Sequence, residues 1–412
     1  MKRLLIVLLA LASLPAPAGA PRGQTSGLFA EIQAISAELT RITGLGFVKK
    51  VEYAPISKQG VNQFLRERLK EEMPPEEIRA EELVLKKFGF VPPDYDLAQN
   101  TIELFTEQAA AFYDFRKKKL FVLESAPPDL QRMALVHELA HALADQHFHL
   151  EKFIRRGGAS DDNSLARMAV MEGQAAYLMS EYAARQAGQS LRGSSALAET
   201  VRSAAELSAG RFPVFDAAPL YVRETLLFPY TYGMLFQHAV VEKLGQEGFR
   251  EVFRRPPSTA QQILHPEMYF SKVEPIVLTP PKPPRIKDYK LLAAGVLGEL
   301  DHQILLRQCG METEAEGIAR RWRGAAYELY ENQNGAILTY VSAWDGGEAA
   351  RRFFASYRRV LKGKWQAMEA ISETPDCLLG RGDGGYFTLR LQGSAVTAVE
   401  GLPSAEQARS IR

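Results

Sequence analysis

The chain reads as an α+β protein in two parts, a mainly helical domain with one short strand hairpin and a small C-terminal α+β domain. Three observations carry that reading. Apolar residues recur at helical spacing through most of residues 24–274. One stretch among them, "FYDFRKKKLFVL", reads instead as two short strands around a polar turn. Beyond a proline-rich run at 275–285, which reads as an extended linker, residues 286–412 turn to strand-like alternation around an amphipathic helix.

The N-terminus sets the compartment. In "MKRLLIVLLALASLPAPAGAPRGQ", Lys2 and Arg3 precede the apolar run Leu4–Leu14, and small residues stand at Ala16, Ala18 and Ala20. Residues 1–20 therefore read as a secretory signal peptide, and the run is too short to span a bilayer. No later stretch is apolar enough over sufficient length to cross a membrane. The expectation is an exported protein, periplasmic or extracellular. Composition adds exclusions: 46% of residues are hydrophobic, 24% are charged and the formal net charge is +1. So neutral a balance points neither to a nucleic acid partner nor to an anionic membrane surface. Cys309 and Cys377 either pair in an oxidising compartment or remain buried thiols.

The elements follow in order. "LFAEIQAISAELTRI", "VNQFLRERLKEEM" and "EEIRAEELVLKKFG" carry helical periodicity, the last stopped by Gly89. In the hairpin, the basic run Arg116–Lys119 reads as a solvated turn. "SAPPDLQRMALVHELAHALADQHF" predicts a helix over about 127–147, with Ser125 as cap and prolines in its first turn. "NSLARMAVMEGQAAYLMSEYAARQ" predicts the next, capped by Asn163 or Ser164. Further helices run to about Phe253. The C-terminal part predicts a helix near 296–308, a hairpin turning at Asn334-Gly335, the helix "GEAARRFFASYRRVLKG" and the strand-like "YFTLRLQGSAVTAVEG".

Chemistry concentrates in "LVHELAHALADQHFHL", where His137, His141, His147 and His149 fall within one short segment. His137 and His141 form H-E-x-x-H. Residues four apart share a helix face, so both imidazoles can converge on one ion, with Glu138 beside it but not bound. The arrangement suits zinc with an adjacent general base, because zinc brings a bound water to a pKa of about 7 and a carboxylate can take its proton.

Two residues compete to complete the site. His147 lies six residues after His141, but Ala144 stands where a glycine would turn the chain out of the helix. In a continuous helix His147 points about 120° away from the ligand face. His147 and His149 then read as imidazoles at a helix C-terminus. Glu172 has Met168, Ala169, Ala175 and Ala176 around it on its own helix. Such a carboxylate is costly to bury unless a cation or hydrogen-bond donors meet it. Gly173 lets another helix approach closely. Glu172 is therefore the expected third ligand, a carboxylate bonded to protein donors being the alternative. Glu181, one turn before Arg185, reads as half of an ordinary exposed pair. Asp145 lies on the ligand face, either steadying an imidazole or solvated at the helix end. Tyr230, Tyr232 and His265 are candidates to donate to an oxyanion, but each reads first as a packing residue and none is assigned as catalytic.

"HELAH" with a downstream "EGQAA" resembles the gluzincin metallopeptidases, whose third ligand is a glutamate. "EQAAAFYDFRKKKLFVLE", "LVHELAHALADQHFHLE", "AVMEGQAA" and "PPSTAQQILHPEMYF" further resemble a group of secreted bacterial HExxH proteins, from about Val51 to Phe270 and more weakly beyond. The resemblance implies a zincin-like fold for 24–274, Zn2+ held by His137, His141 and Glu172, and Glu138 as catalytic base. It also implies that a strand within 109–123 pairs with extended peptide. The N-E-x-x-S-D form of the third-ligand motif, seen in thermolysin-like enzymes, is missing here. The expected function is that of a secreted zinc peptidase acting on peptide or protein. The alternative is a non-catalytic binding module of the cell envelope that keeps the fold. The C-terminal domain reads as an accessory unit.

Overall fold

The computed structural model describes residues 31–157, 160–209 and 212–411; the signal-peptide reading of residues 1–20 lies outside them. The first part runs α1 (Ile32–Thr43), β1 (Glu52–Ile56), α2 (Lys58–Glu72), α3 (Pro75–Phe88), α4 (Leu97–Gln108), β2 (Ala111–Asp114) and β3 (Lys119–Leu123). Then come α5 (Pro128–Phe148), α6 (Leu150–Arg155), α7 (Asp161–Gln186), α8 (Ser195–Ala209), α9 (Pro213–Ala217) and α10 (Leu220–Leu244). Three short helices close this part, α11 (Gly248–Arg254), α12 (Ala260–Leu264) and α13 (Pro266–Phe270). The rest runs β4 (Lys290–Gly295), α14 (Glu299–Gln308), α15 (Glu312–Ala319), β5 (Trp322–Asn332), β6 (Gly335–Trp344), α16 (Gly347–Lys364), β7 (Glu369–Thr374), β8 (Cys377–Gly382), β9 (Gly385–Gln392), β10 (Ala395–Leu402) and α17 (Ala405–Ser410). The protein is α+β.

Local chemistry explains most of these boundaries. Gly89 ends α3 with φ +81, a backbone region that glycine enters without steric cost. Ser160, not Asn163 or Ser164, caps α7, its side chain accepting from the Asn163 amide. The amphipathic α16 buries Phe353, Phe354, Tyr357, Val360 and Leu361 at helical spacing.

Two sheets form. In the small one the order is β1-β3-β2, with β2 antiparallel and β1 parallel to β3. The sequence reading found the β2–β3 hairpin but not β1. The large sheet is antiparallel, in the order β4-β5-β6-β10-β9-β8-β7. Both of its faces are covered: Leu338 and Ala398 join the main core, while Ile337 and Val399 pack in a separate cluster with Ala408 of α17.

The two parts share an interior. Phe88 of α3 meets Tyr327 and Tyr340 edge-on, with ring centroids 5.4 and 5.8 Å apart. Tyr221 donates to Asp301 at 3.1 Å, and Gln261 donates to Glu299 at 2.7 Å. The proline-rich segment has no helix or strand, yet it is held down. The Ile276 amide donates to the Arg323 carbonyl at 2.6 Å, and Lys282 pairs with Glu328 at 2.7 Å. Cys309 and Cys377 are free thiols. No helix among the described residues is long and apolar enough to cross a membrane.

Helices α7 and α10 cross with their backbones in close approach. A Cβ added at Gly173 would fall 2.2 Å from the Gly233 carbonyl carbon, and one at Gly233 would fall 2.4 Å from the Ala169 oxygen. Backbone cannot yield as a side chain does. Gly173→Ala is therefore expected to lower stability by about 3 kcal/mol in urea denaturation. Gly317→Ala in α15, where a Cβ meets nothing within 4 Å, should raise it by up to ~1 kcal/mol.

Candidate metal centre

The H-E-x-x-H segment lies in the middle of α5, a helix buried on every side. Leu135, Val136, Leu139, Ala140, Ala142 and Leu143 are all essentially inaccessible. Pro127 precedes the helix and Pro128 opens it; Ser125 does not cap it. Gln131 ties its first turns to β3 through the Leu123 carbonyl at 2.9 Å. The helix runs straight through Ala144 and ends where His149 takes φ +54. His147 accordingly turns away and meets the Gly46 carbonyl at 2.8 Å.

α7 brings Glu172 to the two imidazoles. Glu172 Oε2 stands 3.0 Å from His137 Nε2 and 3.2 Å from His141 Nε2, and the two nitrogens are 3.0 Å apart. The three atoms form a nearly equilateral triangle. Among the described residues His137, Glu138 and His141 form a group able to hold a metal ion, their ligand atoms within 4.8 Å of one another. Glu172 is closer still to both rings. All four side chains are at most 2% exposed.

The donor set fits zinc. Ligands about 2.0–2.1 Å from a tetrahedral ion stand roughly 3.4 Å apart, slightly more than the edges observed. Glu172 Oε1 and His137 Nδ1 are buried without hydrogen-bond partners, so protein donors do not satisfy this carboxylate fully. Burial chiefly, opposed by Glu172, lowers the His137 pKa and favours the neutral imidazole that ligates metals. For Glu172, burial pushes upward, but His141 and His137 together outweigh it and hold the carboxyl below its ordinary range. Glu138 goes the other way: burial, then the Glu172 charge, raise its pKa well above the usual value.

Glu138 is fixed by backbone. Its Oε2 accepts from the Tyr113 amide of β2 at 2.8 Å. Nothing in a sequence marks that role, because any residue except proline supplies the donor. The same tyrosine is tied at its far end, where its hydroxyl donates to Asp145 at 3.1 Å. Asp145 also takes Lys118 at 2.7 Å and the Leu150 amide at 3.0 Å. It therefore bonds no imidazole; it clamps the hairpin onto α5. The basic turn is likewise not simply solvated, since Arg116 pairs with Glu71 and Glu72.

Of the oxyanion candidates, Tyr230 reaches the site. Its ring stacks on His137 with centroids 5.9 Å apart, and its buried hydroxyl has no hydrogen-bond partner. Burial, then the charges of Glu172 and Glu138, raise its pKa well above the ordinary value, so it stays a donor. Glu172 influences that phenol, although the two groups do not meet at hydrogen-bonding geometry. His265 is instead bound to Glu299 at 2.8 Å, and Tyr232 packs beneath Arg202. Glu181 does pair with Arg185, at 2.7 Å, but it is buried rather than exposed and also accepts from Ser190 and the Leu191 amide.

Residues 289–412 match a family described as a domain of unknown function, DUF8575. No curated protein and no solved structure matches the chain.

Asp145 is almost wholly buried and satisfies three donors at once. Asp145→Ala is expected to cost about 3 kcal/mol in urea denaturation, several times more than Lys118→Ala, which removes only the exposed partner.

Proposed function

We propose that the chain is an exported zinc peptidase with a zincin-like fold in its first part. In this reading His137, His141 and Glu172 hold Zn2+, and Glu138 moves the proton. The observation that carries it is the buried triangle of His137 Nε2, His141 Nε2 and Glu172 Oε2, with edges of 3.0–3.2 Å. Zinc, when bound, supplies a Lewis acid that polarises a carbonyl and makes water acidic at neutral pH.

The remaining work belongs to side chains and backbone. Glu138, held by the Tyr113 amide, takes a proton from the attacking water and returns it to the leaving amine. Tyr230, with its unpartnered hydroxyl, donates to the oxygen on which negative charge develops. β2 is the outer strand of its sheet, and its edge, apart from the Tyr113 amide that Glu138 takes, offers backbone groups to an extended peptide. Because β2 and the metal centre are buried, the surrounding elements must part to admit substrate.

Metal content tests the ligand set. Purified wild type and His147→Ala should carry about one zinc per chain by mass spectrometry, and Glu172→Ala less than roughly a tenth of that. Loss of zinc in His147→Ala alone would replace this set with a metzincin-like one. Digestion of a mixed peptide library tests the chemistry. Cleavage should stop with chelator, fall about 10²- to 10⁴-fold in Glu138→Gln with zinc retained, and fall about 10²-fold in Tyr230→Phe. A zinc-loaded wild type that cleaves nothing would instead favour the non-catalytic envelope module.

A further inference from the structure

A cavity of about 600 Å3 lies between α8, α10 and α14. Small-molecule sites are of this size, and at ~30 Å3 per water it has room for roughly twenty heavy atoms. None of the four residues of the metal centre lines it. Its α10 wall, Leu220 through Arg223, Leu227 and Thr231, recurs at three- and four-residue spacing on the face turned away from Gly233.

The wall is apolar where α10 meets α14, through Leu227, Phe228 and Leu300. Three arginines also line the space, and two are already committed. Arg202 is held by Glu199 and Glu206, and Arg307 pairs with Glu224 at 3.0 Å. Arg223 differs. It has no acidic partner among the described residues, and its Nε is buried without any hydrogen-bond partner. The arginine that lines the cavity without an acidic partner carries a planar guanidinium fork, which matches a carboxylate able to accept two parallel hydrogen bonds. The charge around it selects against a dianion, because Glu206, Glu224 and the exposed Asp216 line the same cavity. Among the described residues that line the cavity, one cation without an acidic partner suits a ligand with a single negative charge.

We propose that this cavity binds a small carboxylate with an apolar body, its head on Arg223 and its body against Leu227, Phe228 and Leu300. Leu300 and Arg307 belong to the segment that matches DUF8575. Such a ligand therefore touches both parts of the chain, and the site exists only where they meet. The inference stands independently of the peptidase reading.

Titration calorimetry on the full chain tests it, with octanoate, 1-octanol and octyl phosphate as probes. Octanoate should bind saturably, octanol at least about tenfold more weakly, and octyl phosphate no more tightly than octanoate. Arg223→Met should abolish the preference for octanoate over octanol, and Leu227→Trp, which fills the apolar wall, should abolish binding of both. Equal affinity for octanoate and octanol in the wild type overturns the proposal. So does tighter binding of octyl phosphate, undiminished octanoate binding in either variant, or no saturable binding of any probe. Should Arg223→Met fail to fold, the wild-type probe series and Leu227→Trp decide.

Discussion

A carboxylate with no solvent exposure must be met by charge or by donors, and around Glu172 the protein has arranged for two imidazoles to do it. The rest of the first part serves that meeting. The glycine contact between α7 and α10 brings those helices together beside Glu172. The middle of α5 is buried on every face, by Leu135, Val136, Leu139, Ala140, Ala142 and Leu143, so His137 and His141 cannot turn to solvent. The two carboxylates beside the pair are tuned in opposite directions. His141 and His137 hold the Glu172 pKa below its ordinary range, whereas burial and then the Glu172 charge raise that of Glu138.

Much of this was legible in the residues. The four-residue spacing of His137 and His141 is a direct statement about a helix face, and the apolar neighbours of Glu172 announced its burial. Ala144 correctly signalled a helix that would carry His147 away. The pieces that sequence reading missed are those whose physics is not local. β1 is short and becomes a strand by pairing with β3 across the intervening helices. Tyr113 acts on Glu138 through its amide, a group common to nearly every residue. Asp145 and Glu181 were read from their own helices alone, and each gained its true partners from segments beyond: the hairpin for one, the Ser190–Leu191 turn for the other.

The proline-rich stretch teaches the same lesson about composition. Its prolines do keep it extended, but extension is compatible with being pinned, and Ile276 and Lys282 fasten it to the large sheet. Where a free tether would leave the C-terminal part to drift, this one lies against β5. Helix α14 packs between the parts and contributes Leu300 and Arg307 to the wall of the 600 Å3 cavity, so the junction is a built surface.

The nest of rings made by Phe88, Tyr327 and Tyr340 bears on how the chain can be cut. Severed at the proline-rich stretch, each half would present to water an aromatic facet that the other now covers, and sticky halves of that kind self-associate.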